Sequence, residues 1–248
     1  MARLVWASTV LVVIAIVSAV LSGCIQRTGQ QSNSTQSDEM TLRDSFPDGR
    51  PELRWAFFPY FNLDNLEGKR DKDAPDGDNG IGVLSNANAG GFASLSYAAT
   101  GEVDNFYLEV MVYCPVTEGD KGQLSGIAFL IDPVEGNFYR FVCDFKSSDP
   151  TLNIAYVGLD TRNYPVYLKF WDSGRIPGGV PEEEGWHKMA VRVKDGKATA
   201  YWDENELEDS PITVDKIPGG FVGVYTNYVG GLGNATTKVD SFILKVES

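Results

Sequence analysis

The chain has 248 residues, 43% of them apolar and 22% charged, which are the proportions of a globular protein able to bury one large core and exclude a wholly disordered tail or a multispan membrane protein. Acidic residues outnumber basic ones 34 to 21, and the net charge of −13 repels phosphate backbones, so nucleic acid is not expected as a partner. One histidine and three cysteines are too few for a multi-histidine metal centre or a zinc site of paired CxxC motifs, so any catalysis would rest on carboxylates, tyrosines or hydroxyls.

Residues 4–21 form an uncharged apolar run behind Arg3, long enough for the core of a signal sequence or a short membrane span. The run ends in Leu21-Ser22-Gly23-Cys24, which resembles the lipobox of prokaryotic lipoproteins. That resemblance implies a signal peptide over residues 1–23, acylation of Cys24, and an extracytoplasmic protein held to the bilayer of the cell membrane or envelope. Two or more acyl chains would make the anchor stable. Residues 24–43 are rich in Gln, Ser, Thr and Asn, bury too little to offset the entropy of ordering, and read as a flexible tether. Asn33-Ser34-Thr35 and Asn234-Ala235-Thr236 match the glycosylation sequon, each read as a chance match.

From Asp44 to Ser248 the apolar residues recur with period two and helical periodicity is almost absent. Phe106, Leu108, Val110 and Val112 alternate with more polar neighbours, as do Tyr139, Phe141, Cys143 and Phe145. Met189, Val191 and Val193 lead into Asp195-Gly196, a pair suited to a tight hairpin, and Ala198, Ala200 and Trp202 return. Further strands are expected near 54–61, 81–85, 92–98, 123–132, 152–159, 165–171, 221–226 and 238–247. The expected fold is all-β, a single two-sheet antiparallel sandwich, with Trp55, Leu108, Val110, Phe129, Phe141, Val191 and Val224 in its core.

The segments Asp44-Ser45-Phe46, Phe106 to Val110, Ser125 to Phe129, Phe138 to Phe141, Gly185-Trp186-His187-Lys188-Met189, Gly219 to Tyr225 and Val239 to Phe242 together resemble the concanavalin A-like jelly rolls. Among these the chain is most similar to laminin-G-type domains and to the domain of 3-keto-disaccharide hydrolases. These are structural consensus positions shared by many functions.

The β-glucan hydrolases of that superfamily carry Glu-x-Asp-x-Glu or Glu-x-Asp-x-x-Glu on one strand, which sets paired carboxylates on one face. Here Glu102-Val103-Asp104 is followed by Asn105-Phe106-Tyr107, so the third carboxylate is missing. Asp203-Glu204-Asn205-Glu206 reads as a solvated acidic turn. His187 sits where laminin-G-type domains use histidine for packing, and no Gly-x-Ser-x-Gly elbow accompanies it for a Ser-His-Asp triad.

No cofactor is expected beyond a structural calcium ion. The loop from Asp71 to Gly80 offers four carboxylates and one amide but puts Pro75 at the fifth position of an EF-hand register. The family resemblance implies a second arrangement, Asp240 in the last strand meeting Asp44 near the domain start.

Aromatic residues near loops suggest a sugar-stacking surface. The expected ligand residues are Tyr225, Asn227 and Tyr228 beside the glycines at 230, 231 and 233, with Tyr167 and Trp171 as companions. Cys114 and Cys143 are either a disulfide or two buried thiols, depending on whether their strands lie in one sheet or in opposed sheets. The reading favoured is a polysaccharide- or glycan-binding module without catalysis. A glycoside-processing hydrolase and a purely structural or adhesive surface domain stand as alternatives.

Overall fold

A computed structural model describes residues 40–60, 65–86, 93–117, 122–146, 149–161, 164–229 and 234–247. The chain divides into two units, Met1–Ser37 and Asp38–Ser248, and every described residue belongs to the second. The apolar run, the Leu21–Cys24 motif and the Asn33 sequon lie outside the described residues. Among those described, no helix is long and apolar enough to cross a membrane.

The strands in chain order are β1 (Met40–Asp44), β2 (Trp55–Phe57), β3 (Glu67–Arg70), β4 (Gly80–Ser85), β5 (Ser94–Ala98), β6 (Phe106–Cys114), β7 (Val116–Thr117), β8 (Gly122–Asp132) and β9 (Asn137–Lys146). They continue with β10 (Thr151–Val157), β11 (Val166–Asp172), β12 (Gly185–Lys194), β13 (Lys197–Trp202), β14 (Asn205–Glu206), β15 (Ile212–Thr213), β16 (Phe221–Val229) and β17 (Thr236–Val246). One sheet has the order β14-β13-β12-β6-β17-β4-β3, with β1 on β17 and β15 on β13. The other has the order β11-β10-β9-β8-β16-β5-β2, and β7 pairs with β9 as a short parallel addition.

The core lies between the sheets. Leu108, Val110, Phe129, Phe141, Val191 and Val224 are fully buried there and Trp55 packs against them. On β6 burial alternates residue by residue, the pattern of a strand with one wet face. The hairpin at Asp195-Gly196 forms as its sequence demands, with both residues at positive φ and Lys194 paired to Lys197.

Three features depart from the sequence reading. The sandwich begins at Met40, inside the stretch read as tether, because Met40–Asp44 pairs along Phe242–Val246 of β17; a lone pairing partner 200 residues away leaves no local signal. Strand β16 runs through Val229, so Tyr225, Asn227 and Tyr228 sit on a strand paired with β8 and not in a glycine loop. Finally, β9 and β10 are buried on both faces, and a second apolar cluster of Phe58, Leu95, Leu124, Ala128, Ile131, Phe138, Val142, Val157 and Tyr225 covers the outer side of the second sheet.

Candidate functional site

Strand parity builds the site. Tyr139, Phe141 and Cys143 face the inter-sheet core, so Arg140, Val142 and Asp144 of β9 face outward. Leu152 and Ile154 of β10 likewise turn Thr151, Asn153 and Ala155 outward. Register then aligns three rows across the sheet. Tyr167, Ala155, Arg140 and Ala128 form one row, Phe170, Asn153, Val142, Gly126 and Tyr225 the next, and Asp172, Thr151 and Asp144 the third.

This face holds polar side chains that the fold has taken out of water without pairing them fully. Arg140 and Asn153 are 2% exposed and Asp144 is 7% exposed, yet Arg140 Nε, Asn153 Oδ1 and Asp144 Oδ1 have no hydrogen-bond partner among the described residues. Each such atom costs on the order of 1–3 kcal/mol. Arg140 Nη1 donates to Tyr225 Oη at 2.9 Å, and its guanidinium carbon lies 5.1 Å from the Tyr225 ring centre and 5.9 Å from that of Tyr167. Burial raises the Asp144 carboxyl above its ordinary range, against the pull of Lys146 at 3.7 Å and of Arg140. Beside these groups Tyr167 and Phe170 form an exposed ring pair, centres 4.5 Å apart, 47% and 46% exposed.

The residues expected to bind ligand are therefore divided. Tyr167 is on this face and exposed. Tyr225 is on it but buried, holding Arg140, so it is not an open stacking ring. Asn227 shares its parity and is half-buried, whereas Tyr228 falls on the parity of Val224 and Thr226, the opposite side of the sheet. Trp171 is a core residue, fully buried, edge-on to Phe141, with Nε1 donating to the Glu208 carbonyl at 2.8 Å. Sequence reasoning missed Arg140, Asp144, Asn153 and Phe170 as a group. The available signal was a strand apolar on both parities, Phe138 to Phe145, interrupted by two charges on the same side.

The other sequence candidates are placed elsewhere. Asp44 does not meet Asp240: its two carboxylate oxygens accept the backbone N–H groups of Phe46, Glu52 and Leu53 and the Trp55 indole N–H at 2.9–3.1 Å, which leaves it committed to the backbone. Asp240 gathers instead with Asp76 and Asp78, one oxygen of each within 4.8 Å of the others. A bulge between Asp240 and Ile243, with Ser241 at φ 48, turns the buried Asp240 toward the loop before β4. Burial is the main cause that pushes the Asp240 carboxyl up to about 7; the Ser241 N–H opposes it and the Asp76 charge adds to it. An all-carboxylate oxygen set of this kind fits calcium.

His187 stacks on Trp202 at 4.5 Å and its Nδ1 lies 2.8 Å from Asp203 Oδ2, while Asp203 Oδ1 accepts the Lys188 N–H. Asp203 thus joins β12 to the end of β13, and the acidic turn is less free than its sequence suggests. Val103, between Glu102 and Asp104, bridges to Gly220. On the outer face of the first sheet, Tyr107, Glu109, Lys188, Arg192, Tyr201 and Glu204 line a hollow of about 390 Å³. Its charges are paired: Lys188 with Glu109 and Glu204, Arg192 with Glu247. Cys114 on β6 and Cys143 on β9 come from opposed sheets, and their sulfurs meet at 2.7 Å as thiols.

No protein-family model matches the chain, and no curated protein matches it. Solved structures do. A GlcNAcα1-4Gal-releasing endo-β-galactosidase from Clostridium perfringens aligns over 87% of this chain and 64% of its own, at 12% identity and a TM-score of 0.52. A structure from work on endo-acting O-glycanases of human gut bacteria aligns over 84% of this chain and 99% of its own, at 12% identity and 0.50. The Crh5 transglycosylase in complex with NAG covers 84% of each chain, at 13% identity and 0.51. Likeness at such identities is likeness of fold, and the fold is the two-sheet antiparallel jelly roll.

Proposed function

We propose that this protein binds a glycan on the outer face of its second sheet, without catalysis, while held at the cell membrane or envelope by an acylated Cys24. The observation that carries the binding reading is the set of three buried, incompletely paired polar groups, Arg140, Asp144 and Asn153, next to the exposed Tyr167–Phe170 ring pair. Rings stack on the CH faces of sugars and the polar groups read hydroxyls. The structures it resembles in fold include a glycan-releasing enzyme and a transglycosylase in complex with NAG.

The test is a glycan array probed with the full chain. A ring that stacks on sugar contributes about 1–2 kcal/mol, so Tyr167→Ala should weaken any hit roughly fivefold to thirtyfold. Its melting temperature should fall by only about a few degrees, because the ring is half exposed and packs mainly on Phe170 and Arg140. Absence of any hit, or indifference of the hit to Tyr167→Ala, removes the reading.

One observation favours hydrolysis as a second reading. Asp144 and Asp172 both pair with Thr151, which sets them two strands apart, roughly 10 Å between Cα atoms. Inverting glycosidases hold two carboxyl groups roughly 6.5–9.5 Å apart to leave room for a water, a range that two side chains on one face of strands so spaced can reach. Release of reducing ends from an array hit, abolished in Asp144→Asn, would establish it.

The anchoring part of the proposal rests on Leu21-Ser22-Gly23-Cys24 at the end of the apolar run. Metabolic labelling with palmitate should mark the wild type and not Cys24→Ser. Equal labelling of the two would end it. The proposal includes calcium at Asp76, Asp78 and Asp240, supported by the three converging carboxylates.

A further inference from the structure

Resting on the glycan reading, we propose that the sugar bound is an acid: a uronic acid or other carboxylate-bearing residue whose carboxylate pairs with the free edge of Arg140. The argument is one of unmatched charge. Arg140 is 2% exposed and takes part in no ion pair among the described residues. The carboxylate on its own strand, Asp144, lies 3.7 Å from Lys146. Asp144 attracts Arg140 but makes its ion pair with Lys146, and a buried cation in no close ion pair is costly enough that structures rarely keep one without a use.

The two tyrosines satisfy the guanidinium only in part. Tyr225 and Tyr167 present their rings to it, and Tyr225 Oη accepts from Nη1, but Nε donates to nothing among the described residues. The Nε edge of a guanidinium is the fork that takes a carboxylate with two parallel bonds. Tyr167, the exposed member of the pair, lies beside it on this face.

The neighbouring free atoms narrow the chemistry further. Asp144 Oδ1 and Asn153 Oδ1 are acceptors awaiting donors. An inorganic sulfate ion offers only oxygens that accept and would leave both unsatisfied. A neutral sugar offers hydroxyl donors but gives Arg140 no ion pair. A sugar acid supplies both in one ring. The protein's net charge of −13 also opposes densely charged polyanions at long range, so a single carboxylate per recognised unit suits the molecule better than a heavily sulfated chain.

The experiment is titration calorimetry of the full chain with three probes: a galacturonate or glucuronate oligosaccharide, the same oligosaccharide with its carboxyls reduced to alcohols, and a sulfated neutral galactan fragment. The acid form should bind about tenfold or more tighter than its reduced counterpart, with an affinity that falls as salt is raised. Arg140→Lys, which keeps the charge and loses the fork, should erase most of that preference. Because removing a buried arginine can unfold the protein, the wild-type comparison of acid and reduced probe decides the matter on its own. Equal binding of those two overturns the acid assignment and leaves the glycan reading intact. Tighter binding of the sulfated neutral galactan overturns it in favour of a sulfated ligand. No binding to these probes together with a blank array overturns both.

Discussion

Asp44 and Arg140 are both buried charges, and the fold treats them in opposite ways. Asp44 accepts four N–H groups from Phe46, Glu52, Leu53 and Trp55, so both of its oxygens are used and the turn after β1 closes around them. Such a carboxylate organises backbone that would otherwise lack acceptors. Asp44→Ala strands those donors away from water and should destabilise the protein by about 3–5 kcal/mol, read by urea denaturation. A loss below about 1 kcal/mol would mean that water replaces the carboxylate and the hub is dispensable. Arg140, with its Nε unpaired among the described residues, is the residue of the opposite kind.

At the scale of strands, close approach and cross-sheet contact make two predictions. Gly126 of β8 lies in the row between Val142 and Tyr225, and a methyl group there would overlap the Phe141 carbonyl and the Val142 backbone. Gly126→Ala should therefore cost about 1–3 kcal/mol, because backbone of a central strand must shift. An unchanged melting temperature would show that β8 and β9 can part without penalty. The second concerns Cys114 and Cys143, which face each other across the core from β6 and β9. Burial raises the Cys114 thiol, so reaction awaits opening or an oxidising compartment during folding. Protein recovered from an oxidising compartment should show no thiol titratable in denaturant, and reducing it should lower stability by about 3–4 kcal/mol for a loop of this length. Two titratable thiols in such material would refute the bridge.

These same strands show what a sequence can and cannot declare. Alternation on β6 and the Asp195-Gly196 turn follow from local rules, period two and positive φ, and were legible. The fully buried Leu108, Val110, Phe129, Phe141, Val191 and Val224 were readable for the same reason. The site was not, because it depends on which strands are neighbours. Tyr167 and Arg140 are 27 positions apart and meet only because β11, β10 and β9 are adjacent in register. Tyr225 looked like a loop ring because the glycines beyond it suggested a turn, whereas pairing of β16 with β8 carries the strand on to Val229. Cys114 and Cys143 carried the same ambiguity, since only the sheet order separates two strands of one sheet from two opposed sheets.

For the molecule as a whole, an acidic chain of net charge −13 has its pH dependence set by which aspartates the fold favours as charged and which it does not. Asp203 and Asp209 are held below the ordinary aspartate range: at Asp203 burial pushes upward but His187 and the Lys188 N–H outweigh it, and at Asp209 the bond to Lys169 dominates. A depressed carboxyl contributes stability above its unfolded value and loses it as pH falls through the folded one, so these two act against acid. Asp76, Asp144 and Asp240 are raised, each chiefly by burial, Asp240 to about 7. A raised carboxyl contributes stability that is complete below its unfolded value and is lost as pH rises through the folded one. In chelator, the melting temperature should therefore be highest near about pH 4–5 and decline toward pH 8 as Asp240 is forced to ionise beside Asp76 and Asp78. Calcium pairs with the ionised forms, so it should restore most of that decline at pH 8 and do little at pH 4.5. Asp240→Asn should flatten the chelator profile and abolish the calcium response together. A profile in chelator that rises from pH 5 to pH 8 would show that the three carboxylates do not govern stability, and calcium insensitivity at pH 8 would show that their convergence serves no ion.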